Sequence, residues 1–157
     1  MTGDDTGTFD YDLAGNRNTI GYVTGAKNQY LSDGVFNYFY DNEGNLDHKV
    51  RVSDGQRTTF TYDHNNQLTK VERAPASGPV DLAVEFKYDV FGRRIQEIAD
   101  LDGAGSGSAG TTRFAYDGIH VWADLNGSSS LTTRRMFGDQ VDQVLARVTG
   151  ITVSWLL

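Results

Sequence analysis

Apolar and polar positions alternate with a period of two along most of the chain, and short turn signals interrupt the alternation every 8 to 14 residues. In the stretch VFNYFYDNEGNLDHKVRV, residues 35–52, Phe36, Tyr38 and Tyr40 fall two apart and share one face of a strand, with Asn37 and Phe39 on the other. Asp41-Asn42-Glu43-Gly44 follows. An aspartate at the first corner accepts hydrogen bonds from turn amides, and a glycine at the fourth tolerates positive φ. Together they predict a type I turn closed by a glycine bulge, with Leu46 opening the return strand.

This unit recurs. FDYDLAGNR (9–17), YFYDNEGNL (38–46), FTYDHNNQL (60–68) and FKYDVFGRR (86–94) carry the pairs Tyr11-Asp12, Tyr40-Asp41, Tyr62-Asp63 and Tyr88-Asp89; a fifth pair, Tyr116-Asp117, opens FAYDG and then diverges. Such self-similarity marks a repeat architecture. Gly15, Gly44 and Gly92 hold the fourth corner in three copies and Asn66 holds it in the other. Asn is the non-glycine residue that best tolerates the left-handed region, so all four are expected at positive φ.

The opposite ends of the hairpins vary. SDGQ (53–56) reads as a two-residue Asp-Gly hairpin turn, RAPASGP (73–79) as a loop, and DLDGAGSGSAGTT (100–112) as a flexible Gly/Ser excursion. One edge is therefore constant in length and the other takes the insertions. No helical period exceeds a turn or two, and the ambiguous DQVDQVLARV (139–148) also reads as strand. The expected fold is all-β: serial antiparallel β-hairpins in a single repeat domain, 1–157, with repeats starting near 9, 36, 58 and 84 and a distinct stretch at 112–157. No lone hairpin is stable in water, so neighbouring hairpins must join edge to edge.

Composition narrows the function classes. Eighteen glycines against two prolines fit many tight turns, and eight Phe, eight Tyr and two Trp make any core aromatic. The net charge of −7 argues against nucleic-acid binding. There is no cysteine, hence no disulfide and no thiolate metal site. The acidic, polar N-terminus does not resemble a signal peptide, and no apolar run reaches the roughly 18 residues of a membrane span.

Sites for chemistry are sparse. GSGSAG (105–110) matches Gly-x-Gly-x-x-Gly but leads into a strand rather than the helix a dinucleotide needs. Asp100 and Asp102 hint at a calcium loop, yet Ala104 and Thr111 stand where ligands belong. His48, His64 and His120 are too scattered for a metal triad, and no Gly-x-Ser-x-Gly occurs. Asp12, Asp41, Asp63, Asp89 and Asp117 could pass for a carboxylate array, but one per repeat at a corner is what capping demands. Asn126-Gly127-Ser128 is a glycosylation sequon and, more simply, a hairpin pair. No catalytic residue, metal or cofactor is expected.

The recurring Phe/Tyr-x-Tyr-Asp-x-x-Gly-(Asn/Arg)-(Leu/Arg) resembles the YD repeats of the Rhs family, which are shared with the C components of Tc toxin complexes and with teneurins. Residues 114–148 resemble the opening of the Rhs repeat-associated core: a hairpin at a pair like Asn126-Gly127, then Gly138, Asp142, Leu145 and Ala146. The resemblance implies a curved sheet strip belonging to a hollow shell that encloses a toxin segment, in a parent secreted or displayed by a bacterium. About five repeats are too few to close such a shell, and the downstream self-cleavage segment is missing. The chain is therefore expected to be a truncated, non-enzymatic piece of a longer protein, its partners being the rest of the shell and the enclosed toxin, with self-association through edge strands. The alternative is a carbohydrate-binding or cell-contact module, for which Phe39, Phe91 and Trp122, outside the inward pattern, are the candidate ligand contacts.

Overall fold

The computed structural model describes residues 10–138 and 143–156; Phe9, Asp142 with the rest of 139–142, and Leu157 lie outside the described residues. The strands are β1 (Tyr22–Thr24), β2 (Tyr30–Asp33), β3 (Phe36–Tyr40), β4 (Leu46–Arg51), β5 (Arg57–Tyr62), β6 (Leu68–Ala74) and β7 (Leu82–Tyr88), then β8 (Arg94–Asp100), β9 (Gly110–Asp117), β10 (His120–Asn126), β11 (Leu131–Phe137), β12 (Val144–Thr149) and β13 (Thr152–Trp155). They form one antiparallel sheet whose strand order is the sequence order, and no helix occurs among the described residues. The all-β, serial-hairpin fold is thus the fold of the chain. Contacts gather it into two units, Met1–Phe60 with Arg73–Pro79, and Thr61–Glu72 with Val80–Leu157.

In the first unit β1–β2 and β3–β4 are hairpins, turning at 25–29 and 41–45. Between β2 and β3, Asp33 Oδ1 accepts the Val35 and Phe36 amides at 2.8 and 2.7 Å. The β4–β5 connection differs from the expected two-residue Asp-Gly turn. Arg51 N–H donates to the Gln56 carbonyl and Gly55 N–H to the Arg51 carbonyl, so the loop spans 52–55. A two-residue type I′ turn needs positive φ at both Asp54 and Gly55, and only Gly55 has it, at 72°. Asp54 instead accepts the Gln56 amide and pairs with Arg51.

In the second unit, β7–β8 turns at 89–93 and β9–β10 at the two residues Gly118-Ile119, with Asp117 paired to His120. The β8–β9 loop covers 101–109 and is tied by Ala104 N–H to the Val80 carbonyl and by Gly107 N–H to the Asp102 carboxylate. The β10–β11 hairpin does not turn on Asn126-Gly127 as a central pair: Asn126 is the first corner, and the positive φ falls on Ser129, at 64°.

One irregularity repeats in both units. Phe39 pairs with His48 but Tyr40 with Leu46, leaving Asp47 bulged; Lys87–Gln96 and Tyr88–Arg94 leave Ile95, and Asp124–Thr133 and Leu125–Leu131 leave Thr132. Leu31 is bulged in the same way. In every case the extra residue lies six after the first corner of the turn, and each bulge adds local right-handed twist.

Among the described residues no aromatic core forms, contrary to expectation. The buried ones among them are Ala123 and Ala146, at 1% and 0% exposure, with Asp124 and Thr133, and none of the described large side chains is fully buried. The rings lie half-covered on the sheet with cations over them: Arg94 sits 5.3 Å from the Phe86 ring and 5.1 Å from Phe114, and Lys49 4.3 Å from Phe36. Asp124, the buried carboxylate, is held by Arg135 through two 2.7 Å bonds, which raise the Arg135 pKa further.

Candidate functional site

The repeated corner is built from two backbone bonds and one carboxylate. At Asp12, Asp41, Asp63 and Asp89 the aspartate N–H donates to the carbonyl four residues on, and the N–H three residues on returns to the aspartate carbonyl, all at 2.8–3.2 Å. That is a type I turn closed by a bulge. The closing residue has φ of 82° at Gly15, 94° at Gly44, 58° at Asn66 and 78° at Gly92. The aspartate Oδ1 then accepts the amide four residues on, at 2.8 Å from Asn16 and Asn45 and 3.0 Å from Gln67 and Arg93. Ala14, Asn65 and Phe91 donate a second amide to the same oxygen.

Such amides hold the Asp12, Asp41 and Asp89 carboxylates below the ordinary aspartate range. At Asp12 the Asn16 amide dominates. At Asp41 and Asp89 burial pushes upward, but the bonds from Asn45 and Arg93 outweigh it. The fifth pair is placed differently, since Asp117 ends β9 at the first corner of a shorter two-residue turn, opposite His120, and not of a bulged one.

The tyrosine has its own task. Tyr40 Oη donates to the Tyr30 carbonyl at 2.8 Å, Tyr88 Oη to Leu68 at 2.8 Å and Tyr116 Oη to Arg94 at 2.9 Å. Each acceptor lies five residues after the first corner of the preceding hairpin, so the Tyr-Asp tyrosine stitches one hairpin to the one before it. The residue four after the corner ties forward. Gln29 Nε2 donates to the Gly44 carbonyl at 3.1 Å and Arg93 Nη1 to the Gly118 carbonyl at 2.7 Å. Arg93 also holds Asp89 through Nε at 2.7 Å and lies 4.7 Å from the Tyr116 ring.

Sequence reasoning missed these side-chain donors; of two further turns of the same build it missed that at 25–29 and read that at 126–130 as a two-residue turn. Gly25–Gln29, with Asn28 at φ 60°, and Asn126–Ser130 have the same backbone bonds without a Tyr-Asp pair. At 25–29 the available signal was an Asn in the fourth place, as at Asn66; in the 126–130 turn that place is Ser129, which gives no such signal.

Of the proposed ligand aromatics, Phe39 belongs to the first unit and Phe91 and Trp122 to the second. Phe39, 45% exposed, stacks on His48 at 4.2 Å in the first unit. In the second unit Phe91 is 79% exposed at a turn tip beside Arg93, and Trp122 is 37% exposed with Arg134 5.5 Å from its ring. Asp100 and Asp102 direct their carboxylates to the Asp102, Gly103 and Gly107 amides, and no group of three metal-ligating side chains occurs among the described residues. Of the 138–146 pattern, Gly138 donates to the Gln143 carbonyl and Ala146 is buried opposite Trp155.

No family model matches the chain. It is similar to two curated proteins: the tRNA3(Ser)-specific nuclease WapA of Bacillus spizizenii, 28% identical over 144 residues, and the tRNA nuclease WapA of Bacillus subtilis, 27% identical over 144 residues. Each match covers 83% of this chain, and the chain spans about 5% of the length of those relatives.

Proposed function

We propose that this chain is a non-enzymatic structural segment of a YD-repeat shell of the Rhs type, a stretch of wall rather than a site of chemistry. The observation that supports this reading is the use of the repeated side chains: each corner aspartate is bonded to its own turn amides, and the tyrosines at 40, 88 and 116 bond to the neighbouring hairpin. Groups committed in this way set the spacing of hairpins and leave little to offer a substrate. The small share of the matched proteins' length fits a segment of a much larger molecule. In that setting the partners are the remaining wall and an enclosed toxin segment, and the parent is exported to the surface or surroundings of a bacterium.

Both matched proteins are named as tRNA nucleases, so cleavage of tRNA is the direct test. The purified chain incubated with tRNA should leave it intact. Cleavage that disappears on replacing a corner aspartate, with the sheet still folded, would overturn the reading. The exposure of Phe39, Phe91 and Trp122 favours the second reading, a glycan contact. There, a saturable change in Trp122 fluorescence with an added glycan, lost in Trp122→Ala, is the decisive result; the wall reading expects no change.

A further inference from the structure

We propose that Asn126-Gly127 is a self-modification site, at which the folded turn promotes conversion of Asn126 to aspartate through a cyclic imide. Asn126, Gly127 and Ser128 are all exposed at the tip of the β10–β11 hairpin. Asn126 Oδ1 accepts the Ser128 and Ser130 amides, both at 3.0 Å. Two fixed N–H donors on one carbonyl oxygen polarise its carbon and stand ready to stabilise an oxyanion there. The nucleophile is the next backbone nitrogen. Gly127 has no Cβ to obstruct its approach, and asparagine precedes glycine nowhere else in the chain.

The step balances without a co-reactant other than water. Gly127 N gives its proton to water and bonds to Asn126 Cγ, and the negative charge forms on Oδ1 between the two amides. Water returns that proton to Nδ2, and collapse breaks the Cγ–Nδ2 bond and expels ammonia. Water then opens the imide at Cγ to give aspartate, or at the main-chain carbonyl to give isoaspartate. Aspartate at 126 would stand where Asp12, Asp41, Asp63 and Asp89 stand in their own turns, accepting the same pair of amides. Isoaspartate would add a methylene to the main chain inside the turn. The Asp-Gly pairs at 33, 54, 102 and 117 carry the same nucleophile, but a carboxylate is a poorer acceptor than a carboxamide, so residue 126 should react first.

The test holds the full folded chain in mildly alkaline buffer at body temperature and follows the tryptic peptide 114–134 by mass, beside a synthetic peptide of the same sequence. The folded chain should gain the one-dalton increment several-fold faster than the free peptide. Gly127→Ala should slow it to the level of the other asparagines; a Cβ there meets only the Thr111 side chain, at 3.4 Å, so the turn is kept. Asn126→Asp should fold and melt like the parent. A folded chain that converts no faster than the peptide, or a Gly127→Ala chain that converts unchanged, would overturn the proposal; should Gly127→Ala not fold, the comparison with the peptide decides alone.

Discussion

At each repeated corner a carboxylate faces turn amides while the closing residue sits at positive φ, and these two demands fix residue types independently of the rest of the chain. Asn66 at φ 58° pays the Cβ penalty that Gly15, Gly44 and Gly92 avoid, so Asn66→Gly should be neutral or slightly stabilising in denaturant unfolding. Gly44→Val should cost about 1–2 kcal/mol, because a β-branched residue resists φ of 94° while a Cβ there meets only Gln29 Nε2 at 3.5 Å. Asp63→Ala should lose about 1 kcal/mol through the Asn65 and Gln67 amide bonds. The same bonds predict acid sensitivity. The folded chain prefers Asp12, Asp41 and Asp89 ionised, so their contribution is complete above the free aspartate pKa of about 4 and is lost as pH falls through their lower folded values. At the other extreme, burial and then the 2.6 Å bond to Asp33 push Tyr38 up to about 12. Stability from the neutral phenol is complete below the free tyrosine pKa of about 10 and is lost as pH rises through that higher folded value, which a tyrosinate absorbance titration beside a melting series would follow. The corner aspartates and the positive-φ residues were legible in the sequence because their interactions span five residues; the Tyr38–Asp33 bond was not read there.

Between elements, the informative groups act over twenty residues or so, and sequence alone exposed them less well. Tyr88 was readable as the end of a strand, but its bond to the Leu68 carbonyl was not, since nothing local names an acceptor in the previous hairpin. Tyr88→Phe keeps the ring and removes that bond. It should cost about 0.5–1.5 kcal/mol, and hydrogen exchange should rise around β6 and β7 while amides of β11 and β12 stay unchanged. Equal loss across all strands would argue that the hydroxyl stitches nothing. The bulges six residues after the corners were invisible for the same reason, although Thr132 marks one of those positions by donating its hydroxyl to the Asp124 carbonyl. Asp54-Gly55 and Asn126-Gly127 misled because a dipeptide preference is weaker than the surrounding contacts: the Arg51 bonds widen one loop, and the Ser128 and Ser130 amides draw Asn126 to a corner in the other.

For the molecule as a whole, the serial all-β order was legible and the burial was not. Alternation specifies which residues share a face, but it does not supply a layer to cover that face, and here the rings are covered by Arg and Lys side chains instead of by a core. A sheet held this way depends on its ladder bonds, which makes an open edge consequential. β13 is the last strand of the sheet, its Val153 and Trp155 are 48% and 65% exposed, and TVSW carries no charge. Edges of that kind recruit further strands, and natural sheets guard against it with charged residues. We therefore propose that β13 is where one copy meets another, or meets further wall in a longer protein. The isolated chain should self-associate in light scattering, with the size growing with concentration. Val153→Lys should return it towards a monomer while the β-sheet circular dichroism signal is unchanged, whereas Leu13→Lys, a change at an exposed turn tip, should not. A parent chain that stays monomeric at tens of micromolar would refute the association, and a Leu13→Lys chain that disperses as well as Val153→Lys would place it elsewhere than this edge.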